Sequence, residues 1–321
     1  MNWYIAQNYI AVAEKIAIID CGTNTFHLMI VSIENGTAKI LIKERLPVKI
    51  GEGGINQRII QPAAIERAIT TITYFNKVIK EHSINSIYGF ATSAFRNAAN
   101  GGELQDLIYQ KTNIKINVIS GDREAELIFK GVSSAIDIGK KPALVMDIGG
   151  GSVEFIIGSS HKVYWKQSFE IGAQRLLDLF HNNDPMDPAE LVQLNKYLRE
   201  YLHPLFEALG KWAPSTLVGA SGTFDTLSDI YCYKKGLKKA ELEAEIPLTL
   251  EAFYEIHQEL IQKNRSERLQ IPGMIEMRVD MIVVASALIH YILSRHQFDY
   301  LRVSTYALKE GVLTEILKNE I

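Results

Sequence analysis

At 321 residues the chain is too long for one ordinary domain and suits two lobes of typical size. A formal net charge of −3, with 47% hydrophobic and 22% charged residues, describes a globular protein with sizeable cores. It excludes the bulk positive field of a nucleic-acid binder, so any polyanion site must be built locally. Cys21 and Cys232 form no close-spaced pair, which speaks against a disulfide framework or metal knuckle and suits a reducing cytoplasm.

The opening MNWYIAQNYIAVAEK lacks the basic and apolar regions of a signal peptide, so residues 1–15 read as an extension. No apolar stretch approaches the roughly 20 residues of a membrane span; Met281 to Leu293 reads as a buried helix. The first element is a hairpin, IAIIDCGTNTFHLMIV (Ile16 to Val31), and a second copy follows as ALVMDIGGGSVEFIIG (Ala143 to Gly158). Asp20 aligns with Asp147, Gly22 with Gly149, Thr25 with Ser152, and His27 with Glu154. Two copies of one supersecondary unit predict two lobes of matching topology.

After the first hairpin the pattern predicts a strand at Ala38 to Val48 and a helix at Pro62 to His82, where proline starts an apolar repeat of helical spacing. A strand at Ser86 to Thr92, a helix at Glu103 to Lys111, a strand at Ile114 to Ser120 and a helix at Asp122 to Ile136 follow. After the second hairpin, helices are predicted at Gln174 to Phe180, Pro188 to Leu209, Thr223 to Tyr233, Leu250 to Gln262, Arg278 to His296 and Thr305 to Leu317. Strands are predicted at Lys162 to Phe169, Thr216 to Gly219 and Tyr300 to Ser304. Three strands followed by alternating helices and strands, twice over, predict α/β lobes with mixed sheets.

Chemistry concentrates in the small-residue turns. Backbone N–H groups and hydroxyls of Gly22, Thr23, Asn24 and Thr25, and of Gly149, Gly150, Gly151 and Ser152, can cradle phosphate oxygens. Asp20 and Asp147, at strand ends, can hold magnesium directly or through water, and Glu154 suits a metal or water contact. In VGASGT (Val218 to Thr223), Ser221, Gly222 and Thr223 sit between a strand and a helix, where helix-start amides bind an anion or Thr223 simply caps the helix. Glu124 lies in the first turn of the Asp122 helix, so the helix dipole should keep it ionised and weakly basic, able mainly to orient a water. Arg96, just after a strand, can grip phosphate bidentately or be a surface arginine. A basic cluster, Lys234, Lys235, Lys238 and Lys239, can steer a polyanion or form a solvated face. His27, His203, His257 and His290 show no metal-ligand spacing.

Together these stretches resemble the exopolyphosphatase and guanosine pentaphosphate phosphohydrolase family, a branch of the actin, heat-shock chaperone and sugar kinase superfamily. The resemblance rests on IDCGTNTFHLMI, ATSAFRNAAN, VISGDREAELIFKGV, MDIGGGSVEFIIG, VGASGT and RVDMIVVASALI, in family order. It implies two actin-like (ribonuclease H-like) lobes with mixed five-stranded sheets and an interdomain cleft. Lobe I would take residues 1–130 plus 305–321, its last helix returning, and lobe II residues 131–304. It also implies that Glu124 is the catalytic glutamate, Asp147 and Glu154 the acidic pair, and Arg96 a phosphate-gripping arginine. Magnesium would serve as cofactor, with polyphosphate or guanosine pentaphosphate as substrate in the cleft; a homodimer is allowed, and neither nucleic acid nor membrane is expected. A kinase of the same fold and a non-catalytic polyphosphate or alarmone binder are the alternatives. Departures from the family pattern are Cys21 for an aliphatic residue, Arg123 for an acidic one, Ala285 for glycine and Lys309 for arginine. Arg123 bears on local charge and substrate preference.

Overall fold

A computed structural model describes residues 14–238 and 243–321. Most of the amino-terminal extension and Lys239 of the basic cluster lie outside the described residues. The first sheet has five strands: β1 (Glu14–Cys21), β2 (Thr25–Glu34), β3 (Thr37–Pro47), β4 (Ser86–Ala91) and β5 (Ile116–Val118), ordered β3-β2-β1-β4-β5. The second is built from β6 (Ala143–Ile148), β7 (Val153–Gly158), β8 (Val163–Phe169), β9 (Thr216–Ala220), β10 (Glu245–Ile246) and β11 (Tyr300–Ser304), ordered β10-β11-β9-β6-β7-β8. In each sheet three antiparallel strands are followed by parallel ones reached through helices, so the two hairpins open two equivalent sheets.

The second sheet thus has six strands where the sequence pattern suggested five. β10 is only two residues long and pairs antiparallel with Ser304 and Val303, held there by a two-pronged bond from Arg302 to the Glu245 carboxylate. The single helix expected from Pro188 to Leu209 is two, Pro188–Tyr201 and His203–Trp212. Pro204 has no N–H to continue the first ladder, so the chain restarts around Leu202.

Burial explains the layering. β6 and β7 are buried along their whole length, because helices cover both faces of the second sheet. Leu144, Met146 and Ile148 of β6 join one core with the helices Ala173–Phe180 and Met281–Leu293, while Ala143 and Val145 point the other way. Ala17, Ile19 and Cys21 of β1 likewise face an outer core under the Pro62–Glu81 helix, while Ile16 and Ile18 face inward. The inward residues of both sheets share a third core with the helices Gly121–Ala135 and Leu308–Leu317. These two helices pack closely because a Cβ at Gly311 would fall 1.8 Å from the Leu127 carbonyl and one at Gly131 2.0 Å from that of Ala307. Arg123 and Lys130 on the first of them both reach Glu315 on the second. Arg123 therefore docks the last helix, and it does not line the cavity described below. No helix among the described residues is long and apolar enough to cross a membrane.

Candidate functional site

Each hairpin closes in the same way. The Gly22 N–H donates to the Thr25 carbonyl at 3.1 Å, and the Gly149 N–H to that of Ser152 at 3.0 Å. The strand registers also match: Asp20 lies opposite His27 across β1 and β2, and Asp147 opposite Glu154 across β6 and β7. In the first copy the Thr25 hydroxyl bonds His27 at 3.0 Å; in the second, Glu154 accepts from the Ser168 hydroxyl at 2.6 Å.

The two turns touch. A Cβ on Gly150 would sit 2.3 Å from Asn24 Nδ2, and one on Gly151 would sit 2.4 Å from Ser93 Oγ and 2.7 Å from Thr23 Oγ1. Beside them lies a cavity of about 120 Å³, roughly ten times the space a single water needs. Asp20, Gly22 to Thr25, Glu124, Asp147, Gly149 to Ser152, Ser221 and Gly222 all line it. Three expected site residues do not, Arg96, Glu154 and Thr223; Glu126, the other carboxylate of the Glu124 helix, is also absent from the lining and pairs with Arg123 and Lys166.

Local backbone explains several positions. Ser221 adopts φ +67°, a left-handed conformation costly for a residue with a Cβ, and its hydroxyl donates to Asp147 Oδ2 at 2.6 Å. The Ser221–Lys235 helix starts there, which removes the alternative of Thr223 as its cap; Ala220 occupies that place and offers no side-chain bond. The first N–H groups of this helix are left for another acceptor, next to lining residues Ser221 and Gly222.

Burial dominates the electrostatics. It raises Asp20 to about 7, opposed by Lys309 and aided by Asp147, and raises Asp147 to about 6 against the Ser221 hydroxyl and Lys309. Glu154 is pushed up by burial and by Asp147. Glu124 is pushed well above the usual carboxylate range by burial and by Glu154, against the pull of Arg96. The expectation that the helix start keeps Glu124 weakly basic is therefore reversed: desolvation outweighs the dipole and makes it a stronger base. His27, half-buried, is held neutral by desolvation and by nearby Lys309, Arg45 and Arg278.

Arg96 also differs from the free phosphate ligand the sequence suggested. Its Nη1 donates to Glu124 Oε2 and to the Ile119 carbonyl, both at 3.0 Å, and its Nη2 to Glu170 Oε1 at 2.9 Å. The cations that do line the cavity are Arg45, Arg278 and Lys309. Burial and nearby Arg45 lower Arg278 to about 10, so it stays charged at neutral pH. Its Nε has no partner among the described residues, and Gly222 leaves room for its guanidinium, where a Cβ would fall 2.1 Å from Nη2. Reading Arg278 as the start of a long helix hid it: the regular helix begins at Met281, and the preceding turn delivers the arginine to the cavity. A buried guanidinium with an unsatisfied Nε beside a cavity is a signal of an anion site.

No three carboxylate, histidine or cysteine groups among the described residues converge into a complete metal cage. Magnesium does not require one, since it commonly takes one or two carboxylates and completes its shell with water and substrate phosphate. Asp147, buried, and Asp20, half-buried, face one cavity and are costly to ionise unaided, which fits that pattern.

Comparison with known proteins gives concordant matches. The model of the Ppx/GppA phosphatase family matches residues 29–320. The crystal structure of an exopolyphosphatase from Cytophaga hutchinsonii superposes with a TM-score of 0.93 and 44% identity, over 95% of this chain and 98% of that one. Exopolyphosphatase 2 of Mycobacterium tuberculosis is 28% identical over 93% of this chain and 97% of its own length. A bifunctional 3-dehydroquinate synthase/phosphatase of Fusobacterium nucleatum is 31% identical over 95% of this chain but only 47% of that larger protein.

Proposed function

The chain belongs to the Ppx/GppA phosphatase family, and from that premise we propose that it is a magnesium-dependent hydrolase that releases terminal phosphate from inorganic polyphosphate, guanosine pentaphosphate or both. The observation that carries this reading is the convergence of both Gly-hydroxyl turns, Asp20, Asp147 and Glu124 on one cavity. That is the set of groups an in-line attack of water on a phosphoanhydride requires.

In this reading the turn amides and the Ser221 helix start hold the non-bridging oxygens of the reacting phosphoryl. Arg278 and Lys309 offset its charge. Glu124 orients the attacking water and accepts its proton, for which its raised basicity suits it. Arg96 holds Glu124 in place from behind the cavity wall. Asp20 and Asp147 would hold the magnesium ion, with Glu154 beside Asp147; the ion, when bound, neutralises charge on the phosphate chain. Burial costs of the ionised aspartates are then met by a cation instead of a proton.

The test is phosphate release by the purified protein from polyphosphate, guanosine pentaphosphate and ATP, side by side, with and without magnesium. Magnesium-dependent release from polyphosphate or guanosine pentaphosphate, well above that from ATP, is expected. Silence on all three would remove the hydrolase reading.

A further inference from the structure

We propose that Glu170, from the second sheet's side of the molecule, is a positioning residue that fixes the catalytic carboxylate Glu124 through Arg96 when the two phosphate turns are together. This rests on the hydrolase reading above. Glu170 follows β8 and precedes the Ala173–Phe180 helix, whereas its partners Ser93 and Arg96 belong to the short Ser93–Asn97 helix after β4. Its carboxylate therefore spans from one sheet's elements to the other's.

Both oxygens are used. Oε1 accepts from Arg96 Nη2 at 2.9 Å; Oε2 accepts from Ser93 Oγ at 2.5 Å and from Arg175 Nη2 at 3.2 Å. Arg175 in turn donates to the Gly151 carbonyl of the second turn at 2.8 Å and to the Ile55 carbonyl at 2.9 Å. Ser93 packs against the same Gly151. One carboxylate thus joins the arginine that holds Glu124 to the arginine that holds the second phosphate turn.

The direction of action follows from the cavity. Glu124 lines it, while Arg96 and Glu170 do not, so neither meets a bound phosphoryl in this arrangement. Without Glu170, Arg96 keeps Glu124 and the Ile119 carbonyl but loses the bond on its second arm, so the guanidinium can swing and take Glu124 with it. Misplacing a reacting group by about 1 Å can cost on the order of 10²-fold in rate. Glu170 is more than a third exposed along its side chain, so its loss should leave the fold standing.

The experiment measures kcat and KM for polyphosphate with magnesium in wild type, Glu170→Ala, Glu170→Gln, Arg96→Ala and the double variant, with thermal unfolding of each. Glu170→Ala should lower kcat by roughly 10–100-fold with KM unchanged. Glu170→Gln, which keeps one acceptor oxygen, should fall between it and wild type, and it carries the test if the alanine variant fails to fold. In the Arg96→Ala background, Glu170→Ala should cost nothing more, because the relay is already cut. Unchanged kcat in Glu170→Ala overturns the proposal alone. So does a lower KM at undiminished kcat, which would make Glu170 a competitor of phosphate for Arg96, and so does an additive loss in the double variant. Wild-type protein that releases no phosphate overturns the hydrolase reading and this proposal with it.

Discussion

Asp147 lies directly opposite Glu154 across β6 and β7, in the same register in which Asp20 opposes His27 across β1 and β2. One hairpin design therefore carries two different ionisable groups at its second position. The copy with Glu154 sits beside Glu124 and raises its proton affinity; the copy with His27 stays neutral among Lys309, Arg45 and Arg278. The asymmetry puts a second carboxylate beside Glu124 in one copy and a neutral imidazole among cations in the other.

The aspartates should make the metal-free protein sensitive to pH. Asp20 ionises near 3.8 in the unfolded chain and near 7 in the folded one. The folded state binds more protons across that window, so the Asp20 contribution favours folding below about pH 4 and is lost as pH rises to about 7. In metal-free buffer at pH 8, Asp20→Asn should unfold at a higher temperature than wild type, with the two alike at pH 4. Magnesium should raise the wild-type midpoint at pH 8 and not that of the variant. Equal midpoints at pH 8, with or without magnesium, would show that Asp20 neither bears a burial cost nor meets the ion.

Arg278→Ala should act on binding. It removes a buried cation whose Nε has no partner among the described residues. A lost charge-assisted bond of about 1.5–3 kcal/mol corresponds to a rise in KM of roughly 10–100-fold, with a smaller change in kcat. Steady-state kinetics with polyphosphate separates the two, and an unchanged KM would make the arginine structural.

Contact between the turns is the third point of test. A methyl at Gly151 would fall 2.4 Å from Ser93 Oγ, 2.8 Å from Ser93 Cβ and 2.7 Å from Thr23 Oγ1, so Gly151→Ala must displace these side chains and should widen the contact between the turns. Activity should drop by roughly 10–100-fold. A crystal structure of the variant should show a wider gap between Gly151 and Thr23. Wild-type activity with a displaced turn would mean that the apposed arrangement is not the working one.

The paired hairpins were legible in the sequence because their chemistry is local: Asp, Gly and a hydroxyl at fixed spacing dictate one tight turn wherever they occur. Glu124 was legible for the same reason, standing in the first turn of a helix opened by Ser120 and Gly121. Its basicity was not, because that depends on burial and on Glu154, which only the fold brings near. The orientation of Arg96 was equally hidden: its two carboxylate partners lie 28 and 74 residues away. Glu170 carries no motif at all, and Arg278 was absorbed into a helical pattern that actually starts three residues later. The β10 strand exists only because Arg302 and the β11 edge recruit it, and no two-residue stretch announces that on its own.

The central claim, that Glu124 activates the attacking water, is tested most directly by phosphate release from polyphosphate in Glu124→Gln beside Glu126→Gln. Both changes remove one charge from the same helix, but Glu124 lines the cavity and Glu126 faces Arg123 and Lys166 instead. Glu124→Gln should lower kcat by roughly 10²–10⁴-fold with substrate binding intact or slightly tighter, and Glu126→Gln should stay near wild type. Full activity in Glu124→Gln, or equal losses in both variants, would contradict the account.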